Sequence, residues 1–534
     1  MANPPRSVLE QPEAATLTHD EPPPVDSRLT GDRSFFGHPR GLSTLFFTEM
    51  WERFSYYGIR PLLVLFMTAA LMDGGFGFPR DQASAIVGIY AASVYLASLP
   101  GGWVADRLLG LRRAILYGGV FISAGHISIG LASFVGSKVP FFLGLVLIVL
   151  GTGLLKPNIS AIVGDLYPEG GARRDAGFSI FYMGINIGAF AGQLITGALG
   201  EGVRWHLGFG AAGVGMLLGL VVYMLRAPST LGDIGMRPTR LANPVAQARQ
   251  ERRVKLTVGI ALGLLGLLVV LAATGAITLD AQAIAQSMTY VLVGAAVLYF
   301  GYLFTAGGLT GDEKKRVGVI GVLFVAAAVF WSAFEQAPTS LNLFARDFTD
   351  RQFGRRLIPA TWFQSVNSLF VILLAPVAAA TWVALARRRG DLSSPAKFAI
   401  GLLLAGVGFL LMIFAANRVV ESGGTLKVSP WWLVWSYFFQ TVGELALSPV
   451  GLSSMTKLSP RRYVGQMMGV WFLATSLGNL IAGRVGGHVD PEKLEQMPQL
   501  FTATTASLVI SAAVLGLLVV PIRRMMREVP ARSR

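Results

Sequence analysis

The 534-residue chain contains no cysteine. That excludes disulfides, thiol nucleophiles and cysteine-ligated metals, and it leaves nothing that would report a redox compartment. Charge is scarce too. Asp, Glu, Lys and Arg make up 14% of the residues, where a soluble domain carries roughly 25%, so a soluble enzyme is an unlikely reading by composition and a non-enzymatic membrane role is expected. There is no Gly-Lys dipeptide and hence no Walker A loop. No short apolar segment with a cleavage site precedes the first long apolar run, so no removable signal peptide is expected. What the chain has in abundance is hydrophobicity, at 53% of residues, in runs of about 20 that recur from residue 42 to residue 522. Each run is long enough to cross a bilayer as a helix. The net charge of +15 therefore asks which side of a membrane the cations occupy, rather than whether the protein binds nucleic acid.

Fourteen spans are expected: 42–70, 83–106, 113–134, 139–163, 175–199, 205–225, 256–277, 287–308, 317–341, 360–386, 398–415, 431–456, 464–483 and 500–522. An even number puts both termini on one side. Of the 45 Lys and Arg, 31 fall in the termini and the even-numbered connections, counting Arg113 at the edge of the third span, which by the positive-inside rule makes that side cytoplasmic. Residues 1–33, proline-rich and without apolar period, read as a disordered cytoplasmic tail. The connection 226–255, with seven basic residues, reads as a cytoplasmic linker. The seventh and eighth spans hold no Asp, Glu, Lys or Arg. Setting them aside leaves six spans on each side of the linker. The expected architecture is an all-α membrane protein: a six-helix bundle at 34–225, the linker, a lipid-facing hairpin at 256–308, a second six-helix bundle at 309–525, and a cytoplasmic tail at 526–534.

Seven ionisable side chains lie well inside the spans: Glu49, Glu52, Arg53, Arg60, Lys156, Glu335 and Glu444. Facing lipid they would cost about 20 kcal/mol, at about 3 kcal/mol each, which exceeds a typical net stability of roughly 5 to 15 kcal/mol. They are expected to face a wet path or one another. From Glu49, the residues Glu52, Arg53, Tyr56, Tyr57 and Arg60 follow at spacings that form one helical stripe. A stripe with both signs of charge suits a zwitterion better than it suits lipid. With a rise of about 1.5 Å per residue, Arg60 and Glu335 reach one depth, and Lys156 and Glu444 lie at or inward of the midplane. Two opposite-charge pairs at different depths, each joining the first half to the second, would make the double gate that alternating access needs.

The segment Glu49-Met50-Trp51-Glu52-Arg53-Phe54-Ser55-Tyr56-Tyr57-Gly58 resembles the ExxERFxYYG signature of the proton-coupled oligopeptide transporter family, a branch of the major facilitator superfamily. Further segments are similar to that family's pattern in the same order: Gly102 with Asp106-Arg107, Gly110 and Arg112-Arg113; Gly151 to Asn158; Phe181 to Gly188; Trp205 to Phe209; Phe330-Trp331 with Phe334-Glu335-Gln336; Gln364 with Asn367; and Gly443-Glu444 with Ser448 to Leu452. The resemblance implies the major facilitator fold, with the two extra helices of bacterial members. It also implies proton-driven import of di- and tripeptides, with the proton as coupling ion, no cofactor or metal, and a monomer in the bacterial cytoplasmic (inner) membrane. By the same resemblance Arg53 and Lys156 bind the peptide carboxylate, and Asn186, Asn367 and Glu444 hold its ammonium end. Tyr56, Tyr57, Tyr95, Trp331 and Trp471 line the cavity, and Glu49, Glu52 and Arg53 couple the proton. Arg60 with Glu335 and Lys156 with Glu444 are the implied outer and inner gate pairs. Two departures stand out: Ser368 follows Asn367 where the family usually has proline, and Gly88 occupies the place of the proton-sensing histidine of animal members.

The chemistry fits. A short peptide varies in its side chains, so affinity must come from its two charged ends, and amphipathic aromatic walls tolerate the rest. Burial favours a protonated carboxyl, whereas a neighbouring cation favours the ionised form. Moving that cation onto a substrate carboxylate therefore links peptide binding to proton uptake. Alternatives are a symporter for another solute, such as nitrate or a peptide-mimetic drug, or a drug exporter of the same superfamily. His126 reads as a hydrogen-bonded packing residue, Asp106 as part of a structural latch, and the Asn158-Ile159-Ser160 sequon is discounted because it lies in a span. Pro449 beside Gly451 would either break or merely kink the twelfth span.

Overall fold

The computed structural model describes residues 27–135, 137–241, 243–389 and 392–527. Most of the two expected tails lies outside these. Residues 27–33, read from sequence as tail, are instead folded against the chain that follows. Ser27–Thr30 forms a helical turn, and Arg173 donates to the carbonyls of Thr30 at 3.0 Å and Asp32 at 2.7 Å. Against the cost of desolvation, hydrogen bonds from Arg40 and Ser34 hold the Asp32 carboxyl down at about 2.

Fourteen long helices follow: α1 (Arg40–Thr68), α2 (Arg80–Val104), α3 (Leu111–Val135), α4 (Val139–Asp165), α5 (Gly171–Gly200), α6 (Trp205–Leu231), α7 (Pro244–Ala273), α8 (Ala281–Thr305), α9 (Gly311–Phe334), α10 (Trp362–Arg389), α11 (Ser394–Glu421), α12 (Trp431–Leu458), α13 (Val464–Val485) and α14 (Gln496–Arg527). Among the described residues, 12 spans are long and apolar enough to cross a membrane. The two long helices that miss that mark are α1 and α12, which carry Glu49, Glu52, Arg53, Arg60 and Glu444. Their polar content is explained by the path they line.

Local chemistry sets the ends. The Asn243 side chain accepts from the backbone of Val245 and Ala246, with Pro244 in the first turn. Asp280 caps α8 in the same way, and Thr310 and Glu313 form a capping box on α9. The polar connection expected at 226–255 accordingly contracts to 232–243, because both flanking helices extend into it. Helix α9 ends at Phe334 with Glu335 at its C-cap, and a π-turn follows at Ala337–Leu341, where Pro338 lacks a backbone donor. The apolar span nevertheless continues through the π-turn to Phe348, past the expected residue 341. Helix α10 runs unbroken through Ser368, and α12 runs unbroken through Pro449.

Helices α1–α6 and α9–α14 form two six-helix groups. In the first, α1 packs on α5 and α6, and α3 on α4; in the second, α11 packs on α12 and α14. The groups meet along two edges, α2 against α13 and α5 against α10. Helix α8 lies on the first of these edges. Its Ala281, Ala285 and Leu292 pack with Ala85 and Ala92 of α2 and Leu480 of α13. Helix α7 is buried only at Val254, and none of its residues from Lys255 to Ala273 is buried, as expected of a helix surrounded by lipid. An even number of helices places Ser27 and Arg527 at one face, called the terminal face below; the opposite face is the distal one.

Candidate functional site

The site begins with how α1 is held. On α5, Gly184, Gly188 and Gly192 recur every fourth residue and press directly on α1. A side-chain carbon at Gly188 would stand 2.1 Å from the Met50 carbonyl, and one at Gly192 would stand 2.3 Å from that of Phe54. Backbone contact this close fixes the rotation of α1 and with it the direction of the charged stripe. Ser55 fixes the rotation further, with its Oγ 2.7 Å from His126 Nε2, both side chains being buried. His126 is the packing residue the sequence suggested.

Glu49, Glu52, Arg53, Tyr56 and Arg60 are all at most 6% exposed. Arg53 Nε lies 3.1 Å from Glu49 Oε1 and also pairs with Glu52. The guanidinium of Arg53 stands 5.1 Å from the Tyr56 ring centre, and that of Arg60 5.5 Å from the same ring and 5.9 Å from that of Tyr57. This is one continuous run of cations between aromatic faces. It is not saturated: Glu49 Oε2, Glu52 Oε1, Arg53 Nη2 and the Tyr56 hydroxyl have no hydrogen-bond partner. Buried polar groups without partners are rare and call for a role beyond packing.

The remaining residues come from seven helices. Lys156 on α4 is half-buried, with its Nζ 4.2 Å from the Tyr95 ring centre of α2. Asn367 on α10 donates to Thr441 Oγ1 at 2.8 Å and reaches Glu444 Oε2 on α12 at 3.5 Å. Trp331 on α9 is half-buried, with an unpartnered indole N–H. Three expectations meet a different arrangement. Lys156 and Glu444 do not pair; each keeps to its own half, Lys156 on Tyr95 and Glu444 on Asn367. Asn186 turns its amide back to the Tyr182 carbonyl at 3.0 Å and makes no bond to Asn367 or Glu444. Trp471 is 7% exposed, packed over Gly451 and edge-on to Phe398. Tyr90, absent from the sequence reading, is buried with its ring 6.1 Å from that of Tyr56 and its hydroxyl unpartnered. It lies in an otherwise apolar span, and only its aromatic polar tip could have marked it.

Polar bonds between the halves gather toward the distal face. Arg60 pairs with Glu335, the one gate pair that forms. Asn342 donates to the Pro61 carbonyl at 2.7 Å, and Arg346 to Thr68 Oγ1 at 2.9 Å. Arg80 pairs with Asp347 at 2.5 Å and donates to the Val489 carbonyl at 2.9 Å. Glu201 accepts from the backbone N–H groups of Ala360 and Thr361. Sequence reasoning missed Arg80, Glu201 and Asp347, because charge at the end of a span is ordinary. The separation of Lys156 from Glu444 goes with this closure at the other end. Gly88 and Gly483 touch across the α2–α13 edge, where a side-chain carbon on Gly88 would stand 2.7 Å from the Gly483 Cα. No histidine could stand at residue 88 with the helices so placed. No group of three or more His, Asp or Glu able to hold a metal occurs among the described residues.

Two six-helix groups, an inserted helix pair and a buried path bearing charges of both signs define a multi-pass membrane transporter with the major facilitator fold. Residues 112–231 and 282–498 match the family described as PTR2: POT family, and the chain belongs to that family, whose members are transporters rather than enzymes. The unmatched block 232–281 is the connection and helix α7. The chain is 50% identical to "Peptide transporter YePEPT" of Yersinia enterocolitica, over 94% of its own length and 98% of the relative's. It is 40% identical to a "Di-/tripeptide transporter" of Lactococcus lactis subsp. cremoris, over 85% and 90%. The crystal structure of a peptide transporter POT in complex with sulfate superposes with a TM-score of 0.85 at 41% identity, covering 94% of this chain and 99% of that one.

Proposed function

We propose that this protein is a proton-coupled symporter that imports di- and tripeptides by alternating access across the bacterial cytoplasmic membrane. The terminal face, where the basic residues concentrate, is its cytoplasmic side. It needs no cofactor, and a single chain is the working unit. The division of labour follows the first and second bundles at 34–225 and 309–525, with the linker at 226–255 and the hairpin at 256–308 outside the moving core.

The observation that carries this reading is Arg53 lying between Glu49 and Glu52 with hydrogen-bonding capacity left over on all three. A peptide carboxylate drawn to Arg53 and Lys156 takes the cation's field away from the two glutamates. The proton then binds where the cation's influence has been withdrawn, so peptide and proton enter together. Asn367, which reaches Glu444, sets a carboxylate across the path for the peptide's ammonium end, and Asn186 joins them when its amide leaves the Tyr182 carbonyl. Tyr56, Tyr57, Tyr95, Trp331 and Trp471 supply surface that accepts varied side chains. Arg60 with Glu335 closes the outer gate. Lys156 and Glu444 meet as the inner gate only when the outer one opens. One proton crossing with a neutral peptide moves one charge, roughly 2.3 kcal/mol per 100 mV, or about 50-fold accumulation.

Expression in a bacterium stripped of its own peptide uptake tests the direction and the substrate together. Cells making the protein become sensitive to a toxic dipeptide, and excess dialanine protects them. Increased resistance would identify an exporter, and indifference would point to a different solute.

A further inference from the structure

We infer that Glu201 is a second outer latch, which closes the α5–α10 edge of the seam as Arg60 and Glu335 close its depth. The inference rests on the transport reading for what the latch serves, and on geometry alone for its existence. Glu201 is the C-cap of α5, in the first half. Its two carboxylate oxygens accept from Ala360 N–H at 2.8 Å and Thr361 N–H at 2.9 Å, immediately before α10 of the second half. These are among the N–H groups that a helix start leaves without intrahelical partners, and a carboxylate is the group that best satisfies them. Arg351, also of the second half, stands 3.8 Å away, and the two side chains are 11% and 12% exposed. The cap of one half's helix is thus supplied by the other half.

Two further residues of α5 continue the contact along one face. The Leu194 carbonyl accepts from the Trp362 indole at 2.9 Å. Gly197 lies against Thr361 so closely that a side-chain carbon there would stand 1.9 Å from Thr361 Oγ1. Leu194, Gly197 and Glu201 are three and four residues apart and so share a helical face. Opening the outer side parts α5 from α10, which breaks the carboxylate's bonds and uncovers the glycine. The latch therefore biases the protein toward the outer-closed state and sets how readily the outer side opens.

The absence of cysteine makes the test direct. Ser365, 4% exposed and one turn into α10, serves as Ser365→Cys, a single thiol reporter of opening. A membrane-impermeant maleimide is applied to the outside of intact cells, and the labelling rate is read on the purified protein. Glu201→Gln replaces charge-assisted bonds with neutral ones, and labelling should quicken by about fivefold or more. Gly197→Ala drives a wedge into the same contact and should quicken it as well; adding Thr361→Ala, which removes the obstructing hydroxyl, should slow it again. Unchanged rates in both single variants would overturn the latch, as would equal acceleration with and without Thr361→Ala. Labelling that rises only in inside-out vesicles would overturn its placement. None of these readings needs uptake to occur, so failure of the peptide assignment and failure of the latch are told apart.

Discussion

Glu52 and Glu49 both touch Arg53, and each has one oxygen to spare. Glu49 Oε1 and Glu52 Oε2 face the Arg53 guanidinium, which leaves Glu49 Oε2 and Glu52 Oε1 without a partner. Glu52, whose pairing with Arg53 is the tighter of the two, is the residue whose neutralisation is expected to be felt most in coupling. Glu52→Gln should lose gradient-driven accumulation by at least about tenfold while retaining peptide exchange between equal proton concentrations, since exchange requires the path but no net proton movement. Radiolabelled dialanine uptake and counterflow measure the two; unchanged pH dependence of uptake would remove Glu52 from the coupling role. Much at this scale was legible in the sequence. Seven charges in apolar spans are too costly to be incidental, and depth alone brought Arg60 to Glu335. Lys156 and Glu444 had matching depth as well, yet they stay apart, because depth along a helix says nothing of which conformation brings two helices together. Glu201, Arg80 and Asp347 were invisible for the opposite reason: they lie where charged residues are common, and only the fold shows that their partners belong to the other half.

Among the elements, α1 is the least helped by its own composition. It holds five charged residues and an internal proline, and it depends on α5 for its place. The glycine ladder that supplies that place is readable as a four-residue spacing, but its partner is not, since spacing does not say which helix lies across it. Gly188→Ala puts a carbon 2.1 Å from the Met50 carbonyl, which α1 can accommodate only by shifting its charged stripe. Overpacking of this kind costs about 1 to 3 kcal/mol. The variant should therefore melt at a lower temperature and transport poorly, whereas Gly210→Ala on α6, with nothing within 4 Å, should do neither. Thermal unfolding in detergent with parallel uptake checks the pair. Equal behaviour of the two would mean that α5 does not position α1. The helix starts capped by Asn243, Asp280 and Thr310 were poorly legible in the apolar runs: α7, α8 and α9 begin at 244, 281 and 311, ahead of runs that begin at 256, 287 and 317. They were least legible at 226–255, where basic residues read as linker belong instead to the first turns of α7.

At the scale of the whole molecule the asymmetry between the two faces matters most. The distal face is tied by Arg60 to Glu335, by Arg80 to Asp347, by Asn342 to Pro61 and by Glu201 to α10. On the other side of the path, Lys156 and Glu444 remain with partners of their own halves. This is the arrangement of a transporter closed at its distal face. Helix α8 bridges the two halves along one edge, with the Gln282 side chain donating to the Asp81 carbonyl at 2.8 Å and the Tyr299 hydroxyl donating to Gln466 Oε1 at 2.8 Å. The inserted pair is therefore more than lipid-facing filler, a point that an absence of charge in two spans could not convey. Two six-helix groups, their order and their orientation-setting charge were all present in the sequence, whereas the state of the gates belongs to packing. The central claim, that a proton and a peptide cross together, is tested most directly with purified protein in liposomes. Labelled dialanine should accumulate inside when the interior is made negative or alkaline, and collapse of the gradient by a proton ionophore should abolish that accumulation. Uptake that proceeds undiminished with the ionophore present would contradict the account.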